Sequence, residues 1–257
     1  MRRGMRRILL SLARGLAIIA FALALWQAIV WLTGAPHFIL PGPERVFRSL
    51  WGSRMLIAQN AGITFAQILV GLALGAALGV STALQLVMSP IARMLLRPVL
   101  VFAQAVPIFA LAPILTLWLG YGMGSKIVMV VLIIYFPVAS AFFDGLMRTP
   151  QGHLDLARVM GAGPLTQLFR LRVPHAMPSL ASGLRLAAVY APFGAVIGEW
   201  VGASKGLGYL MLLANGRAQT DLMFACLIVL AAFTVLLYLA VDRLGLALTH
   251  RFAEPGG

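Results

Sequence analysis

Charge is scarce in this chain. Of its 257 residues only 11% are Asp, Glu, Lys or Arg, and seven are acidic. A soluble domain carries about a quarter charged residues, so a water-facing surface of this size cannot be covered. The bilayer must supply part of the solvent. Cysteine is nearly absent: Cys226 stands alone in an apolar run and excludes an internal disulfide. His37, His153, His175 and His250 lie far apart, and no Cys/His cluster has zinc spacing, so no metal site is expected. The phosphate-cradling pattern G-x-x-x-x-G-K-S/T is missing, as is H-E-x-x-H. Any ATP chemistry must therefore come from elsewhere, and the chain reads as no enzyme. One match to G-x-S-x-G, Gly202 to Gly206, follows an apolar helix instead of a strand. It reads as a turn ahead of the 207–213 segment.

What is abundant is apolar sequence, at 61%. A spanning helix needs about 20 apolar residues. Six runs qualify, at roughly 8–32, 61–88, 99–119, 126–146, 180–201 and 222–246. The expected fold is all-α, a polytopic bundle of about six transmembrane helices. Arg2, Arg3, Arg6 and Arg7 head the first run, which is longer than a signal h-region and lacks a clear cleavage site, so it reads as an uncleaved span. An even number of spans puts both termini on one side. With that side cytoplasmic, the outer segments carry Arg45, Arg48, Arg54, Lys126, Lys205 and Arg217. The other fourteen of the twenty Lys and Arg lie inside. A net charge of +13 distributed beside spans fits anionic lipid and points away from nucleic acid.

Residues 36–43, PHFILPGP, form a turn, followed by an amphipathic stretch. There Val46, Phe47, Leu50 and Trp51 would rest in the interface, with Arg45 and Arg48 facing water. In the second span Gly71, Gly75 and Gly79, followed by Ala83, make a small-xxx-small stripe for helix packing. The same face continues to Gln67, Thr64 and Asn60, either as an interhelical hydrogen-bond network or as the lining of an aqueous path. Pro107, Pro113, Pro137 and Pro192 fall inside spans and predict kinked helices around a cavity. Glu199, near the outer end of the fifth span, is a functional candidate, with Lys205 or Arg217 in reach to neutralise it. Gln104 and Tyr190 complete the candidate path. Asp144 and Arg148, four apart, read as a helical ion pair.

Residues 151–178 form the longest inside loop. Leu154, Leu156, Ala157, Val159 and Met160 precede a break at Gly161-Ala162-Gly163-Pro164. A second helical stretch, 165–173, is expected to end at Pro174, and Arg158, Arg170 and Arg172 give a basic face. The shape is a rigid knob able to sit in a groove of a soluble partner, or on anionic lipid.

The spacing within this loop resembles permease subunits of bacterial ABC importers of the binding-protein-dependent class. Their pattern is E-A-A, three residues, G, nine residues, I-x-L-P. Here stand Asp155-Leu156-Ala157, then Gly161, then Leu171-Arg172-Val173-Pro174. Ala157, Gly161 and Pro174 match outright, while Asp155, Leu156, Leu171 and Val173 depart from the pattern. The resemblance covers about residues 55–250 and implies a MetI-like type I importer bundle. It also implies an N-terminal helix and connector over 1–54, a coupling loop over 147–179 and a tail over 251–257. It further implies coupling through Asp155, Leu156, Ala157, Arg158, Gly161, Ala162, Gly163 and Pro174 to two ATPase subunits that bind the ATP. The implied setting is the bacterial inner membrane, with both termini cytoplasmic, a second permease copy in a homodimer and an extracytoplasmic binding protein. Residues 192–225 and the outer LPGPERVF look like the branch serving taurine, alkanesulfonates, nitrate and hydroxymethylpyrimidine, closest to the last. A membrane-embedded enzyme is the reading from another class.

Overall fold

The computed structural model describes residues 2–252, with side chains described except at 2–12, 14, 16, 96–97, 99–101, 103–105 and 250–252. Residues 253–257 of the expected tail lie outside the described residues. Helices α1 (Arg2–Thr33), α2 (Pro43–Gly52), α3 (Arg54–Met88), α4 (Pro90–Ala105), α5 (Ile108–Leu119) and α6 (Met123–Met147) come first. They are followed by α7 (Gln151–Val159), α8 (Pro164–Gln167), a π turn (Leu168–Arg172), α9 (Val173–Gly202), α10 (Leu207–Gly216) and α11 (Thr220–Phe252). No strand occurs among the described residues.

Among the described residues, four helical stretches are long and apolar enough to cross a membrane: Arg54–Met88, Met123–Met147, Pro164–Gly202 and Thr220–Thr249. The first expected span lies within α1, whose described apolar part, Ala17–Thr33, is shorter. The third expected span is not one helix. Pro107, at φ −63° and ψ 116°, has extended backbone and separates α4 from α5. Pro113, Pro137 and Pro192 instead lie inside continuous helices. Pro174 does not end a helix either. It opens α9, and the wider π turn before it accommodates the missing amide donor.

The chain divides into two compact units, residues 1–58 with 210–228, and residues 59–209 with 229 onward. In the first, Trp26 stacks on Phe224 at 5.7 Å, and the Thr220 hydroxyl donates to the His37 carbonyl at 3.0 Å. The proline turn is closed by the Ile39 amide donating to the Pro36 carbonyl, and Pro43 starts α2. Val46 is fully buried and Leu50 half-buried, whereas Phe47 and Trp51 are exposed. Arg48 pairs with Glu44 at 2.6 Å, and the Arg54 guanidinium lies over the Trp51 ring.

The second unit is organised by α6 and α9, its most extensive helix pair. Lipid chains are as apolar as leucine, so association in a membrane relies on close approach of backbones. Glycines supply it. A methyl added at Gly194 would lie 2.8 Å from the Val130 Cα. At Gly183 it would lie 2.9 Å from the Ala141 Cβ, and at Gly145 2.6 Å from the Ser179 Cβ. The stripe on α3 packs on α6 in the same way: Gly71 against Val130, Gly75 against Ile134 and Gly79 against Val138. Phe65 stacks on Phe233 at 3.7 Å, which brings α11 to α3.

Gly194→Ala should destabilise the protein by about 1–3 kcal/mol, since the new methyl meets backbone that cannot rotate away. Gly62→Ala, on α3 with nothing within 4 Å of the added carbon, should instead raise stability by up to ~1 kcal/mol through helix propensity. Thermal unfolding of the two variants in detergent, beside the parent, measures the contrast.

Candidate functional site

Between α6 and α9 the chain builds a compact corner. Helix α7 ends in a Schellman closure: the Ala162 amide donates to the Ala157 carbonyl at 2.8 Å, and the Gly161 amide to the Arg158 carbonyl at 2.9 Å. Gly161 takes φ +81°, the left-handed conformation that this closure needs and that a side chain strains. Gly163 caps α8, Pro164 begins it, and Gln167 returns its side-chain amide to the Ala162 carbonyl at 2.8 Å. Leu154 and Leu168 are buried beneath, at 0% and 2% exposure, so the corner is anchored to the bundle.

The outer surface of this knob is apolar. Leu156, Val159, Met160, Leu165 and Phe169 are all more than half exposed, Val159 reaching 86%. The expected basic face is reduced. Arg158 is held by Asp155 at 2.6 Å, and Arg172 turns inward to donate to the Leu146 carbonyl at 3.1 Å. Of the three arginines only Arg170 remains on the outside without such a partner among the described residues. Pro174 sits at the start of α9, beyond the corner itself. Asp144 and Arg148 form no ion pair among the described residues. Both are exposed beside a groove of about 330 Å³ lined also by Ala141, Pro178, Ser179 and Ser182.

At the opposite ends of α6 and α9 lies a second constellation. Asn60, Thr64 and Glu199 are brought together and buried, at 9%, 0% and 1% exposure. The Thr64 hydroxyl donates to Oε1 of Glu199 at 2.7 Å and accepts the Leu207 amide at 2.7 Å. Oε2 of Glu199 accepts the Gly208 amide at 2.6 Å, and Oδ1 of Asn60 accepts the Gly206 amide at 2.7 Å. Gln67 is buried one turn further along α3, and its Oε1 has no hydrogen-bond partner. Tyr190 is separate and 41% exposed, near Phe193. The Gln104 side chain lies outside the described residues.

The charge nearest in kind to Glu199 is not where the sequence placed it. Lys205 and Arg217 are exposed and form no ion pair among the described residues. Lys126, expected as an outer flanking charge, is instead 2% exposed. Its Nζ donates to the carbonyls of Gly202 at 2.6 Å and Tyr121 at 2.9 Å and to the Ser125 hydroxyl at 3.2 Å. Gly198 makes the room, since a methyl there would lie 3.1 Å from the Lys126 Cγ. A lysine at the first turn of an apolar run, facing a Gly-x-x-x-Gly pair, is the signal that could have revealed it. A second missed contact is the Arg185–Asp242 pair at 2.8 Å, which joins α9 to α11.

Residues 71–254 match the family described as binding-protein-dependent transport system inner membrane component. The chain is 48% identical over 243 residues to a probable ABC transporter permease protein of Haemophilus influenzae, covering 95% of this chain and 98% of that one. It is 34% identical over 223 residues to the formylaminopyrimidine transport permease protein ThiX of Halalkalibacterium halodurans, covering 86% and 89%. The fold is similar to a chain of the inward-facing MetNI methionine ABC transporter, with a TM-score of 0.66 at 22% identity, over 77% of this chain and 98% of that one. The family match and these relatives converge with the all-α, MetI-like bundle: the chain belongs to the binding-protein-dependent inner membrane components, as a permease of an ABC importer whose ATPase is a separate subunit.

Proposed function

We propose that the chain is one of two identical membrane halves of an importer, each seated on an ATPase subunit, with an extracytoplasmic binding protein delivering the solute. Both termini and the 147–179 loop face the cytoplasm in this reading, which the arginine distribution supports. The observation that carries it is the knob itself. Its exposed apolar rim at Leu156, Val159 and Met160 has the character of a surface that docks into a protein cleft, and Asp155 and Arg158 polarise its edge. The Gly161 closure and the buried Leu154 make it stiff. Closure of two ATPase subunits around ATP would then displace two stiff knobs, rock the helices attached to them and alternate access to a central path. Asp155, Leu156, Ala157, Arg158, Gly161, Ala162, Gly163 and Pro174 act in that coupling.

The solute we assign is a pyrimidine precursor of thiamine, hydroxymethylpyrimidine or a close amino analogue. Two observations support it: the 192–225 sequence, and the likeness to a relative named for formylaminopyrimidine transport. A taurine or alkanesulfonate permease is the second reading. It is favoured by a relative of Bacillus subtilis named for aliphatic sulfonates at 31% identity and one of Escherichia coli named for taurine at 27%. The two differ in charge, so a labelled aminopyrimidine and labelled taurine, each offered with its binding protein to the reconstituted importer, separate them. Accumulation of the pyrimidine alone is the expected result.

Gly161→Leu should insert normally yet abolish uptake, because the left-handed backbone is strained by a branched side chain while the space around it is open. Gly161→Asn should retain much of the uptake, since Asn tolerates that conformation. Deleting residues 155–163 should release the ATPase subunits during purification. Normal uptake by Gly161→Leu, or ATPase retention after the deletion, refutes the coupling assignment.

A further inference from the structure

Three successive amides at the turn into α10, those of Gly206, Leu207 and Gly208, each donate to a different side chain. Asn60 and Thr64 of α3 take two, and Glu199 of α9 takes the third, all within 2.7 Å. Gly206, at φ +119°, allows the turn that presents them, and a methyl there would collide with the Glu199 carboxylate. On the neighbouring side Lys126 ties the Tyr121 carbonyl, in the turn before α6, to the Gly202 carbonyl at the end of α9. The carboxylate and the ammonium are both almost fully enclosed, and each bonds backbone groups at or next to the turns it holds. We propose that Asn60, Thr64 and Glu199 are positioning residues that latch the 203–206 turn and the start of α10, and that Lys126 clasps the 120–122 turn. This end of the protomer then moves as one rigid block, while the end carrying α7 changes shape during transport.

The physical reason is asymmetry of cost. Opening the latch would strand a carboxylate, a hydroxyl and three amides in apolar surroundings, where unpaired polar groups are expensive. Opening the groove beside Asp144 and Arg148 at the other end would strand fewer. There Asp144 and Arg148 are exposed and form no ion pair among the described residues, and Ser179 and Ser182 line the groove beside them. Motion imposed on the bundle goes where it breaks least. Glu199 therefore serves transport by holding a loop and has no need to touch the solute.

The inference rests on the permease reading, and hydrogen exchange on the assembled importer in nanodiscs tests it. The wild-type chain is followed both nucleotide-free and with the ATPase subunits trapped by ADP and vanadate. The amides of 206–208 should exchange slowly in both states. Thr64→Val removes one hydroxyl and little volume. It should speed exchange at 206–208 by about fivefold to tenfold, leave α6 unchanged, and lower uptake while the ATPase subunits still co-purify. Thr64→Ser should restore slow exchange and uptake. Lys126→Met should loosen the 120–122 turn in the same local way. Deprotection of 206–208 in either wild-type state overturns the latch, and so does a Thr64→Val chain that stays protected or transports normally. A rise in exchange spread through α6, or a Thr64→Ser chain that remains loose, overturns it too. Failure of the wild-type chain to retain ATPase subunits would instead remove the permease reading, and the latch with it.

Discussion

At Gly194 the backbone of α9 meets the backbone of α6 at Val130 with no room for a methyl group between them. Much of the second unit depends on that approach. In apolar surroundings, side-chain burial gives helices little reason to associate, so dispersion between closely set backbones must do it. Gly145 and Gly183 maintain the contact toward α7, and Gly198 maintains it toward the other end. The contact then imposes its own demand. Helices this close leave no space for water, so every polar group between them needs a protein partner. Lys126 lies along Gly198 and finds carbonyls at both helix ends. Glu199, in the last turn of α9, accepts the Gly208 amide at the start of α10.

Sequence reasoning reached this seam from one side only. The stripe Gly71, Gly75, Gly79 has a period that is visible without knowing its partner, and it lies against Val130, Ile134 and Val138. The corner after α7 was visible for a similar reason, because a glycine pair before a proline has few conformations available. What escaped were pairings between distant positions. Lys126 and Gly202 are joined across 76 residues, and nothing in either segment announces the other. Arg172 misled through local geometry. The π turn adds a residue to the helical repeat and rotates the side chain from the outer face to the Leu146 carbonyl. Asp144 and Arg148 have the spacing of an ion pair. However, Arg148 caps the end of α6, where an exposed pair gains too little to hold two side chains in place.

The knob between α6 and α9 follows from the same economy of backbone groups. A corner this tight would leave carbonyls unpaired at the end of α7, and the Ala157 and Arg158 carbonyls are taken by the two amides that follow the turn. Gln167 takes the Ala162 carbonyl, so the break between α7 and α8 is also spanned by a side chain. With the polar groups satisfied internally, the surface left over is apolar, from Leu156 to Phe169. Such a surface is stable in isolation and costly in water, which is the condition under which docking onto a protein partner becomes favourable.

The two ends of the α6–α9 pair thus differ in kind. At one, charges are enclosed and matched to loop backbone, and any displacement exposes several groups at once. At the other, Asp144 and Arg148 are exposed, and α9 is joined to α11 by the partly buried Arg185–Asp242 pair. A pair that already meets water loses little on separating. In the coupling we propose, a lever attached at the knob acts on the end whose charges are exposed. The matched end keeps its geometry because its polar groups have nowhere else to go. Selectivity for a solute needs no buried charge in such an arrangement. Glu199 and Lys126 are committed to holding backbone.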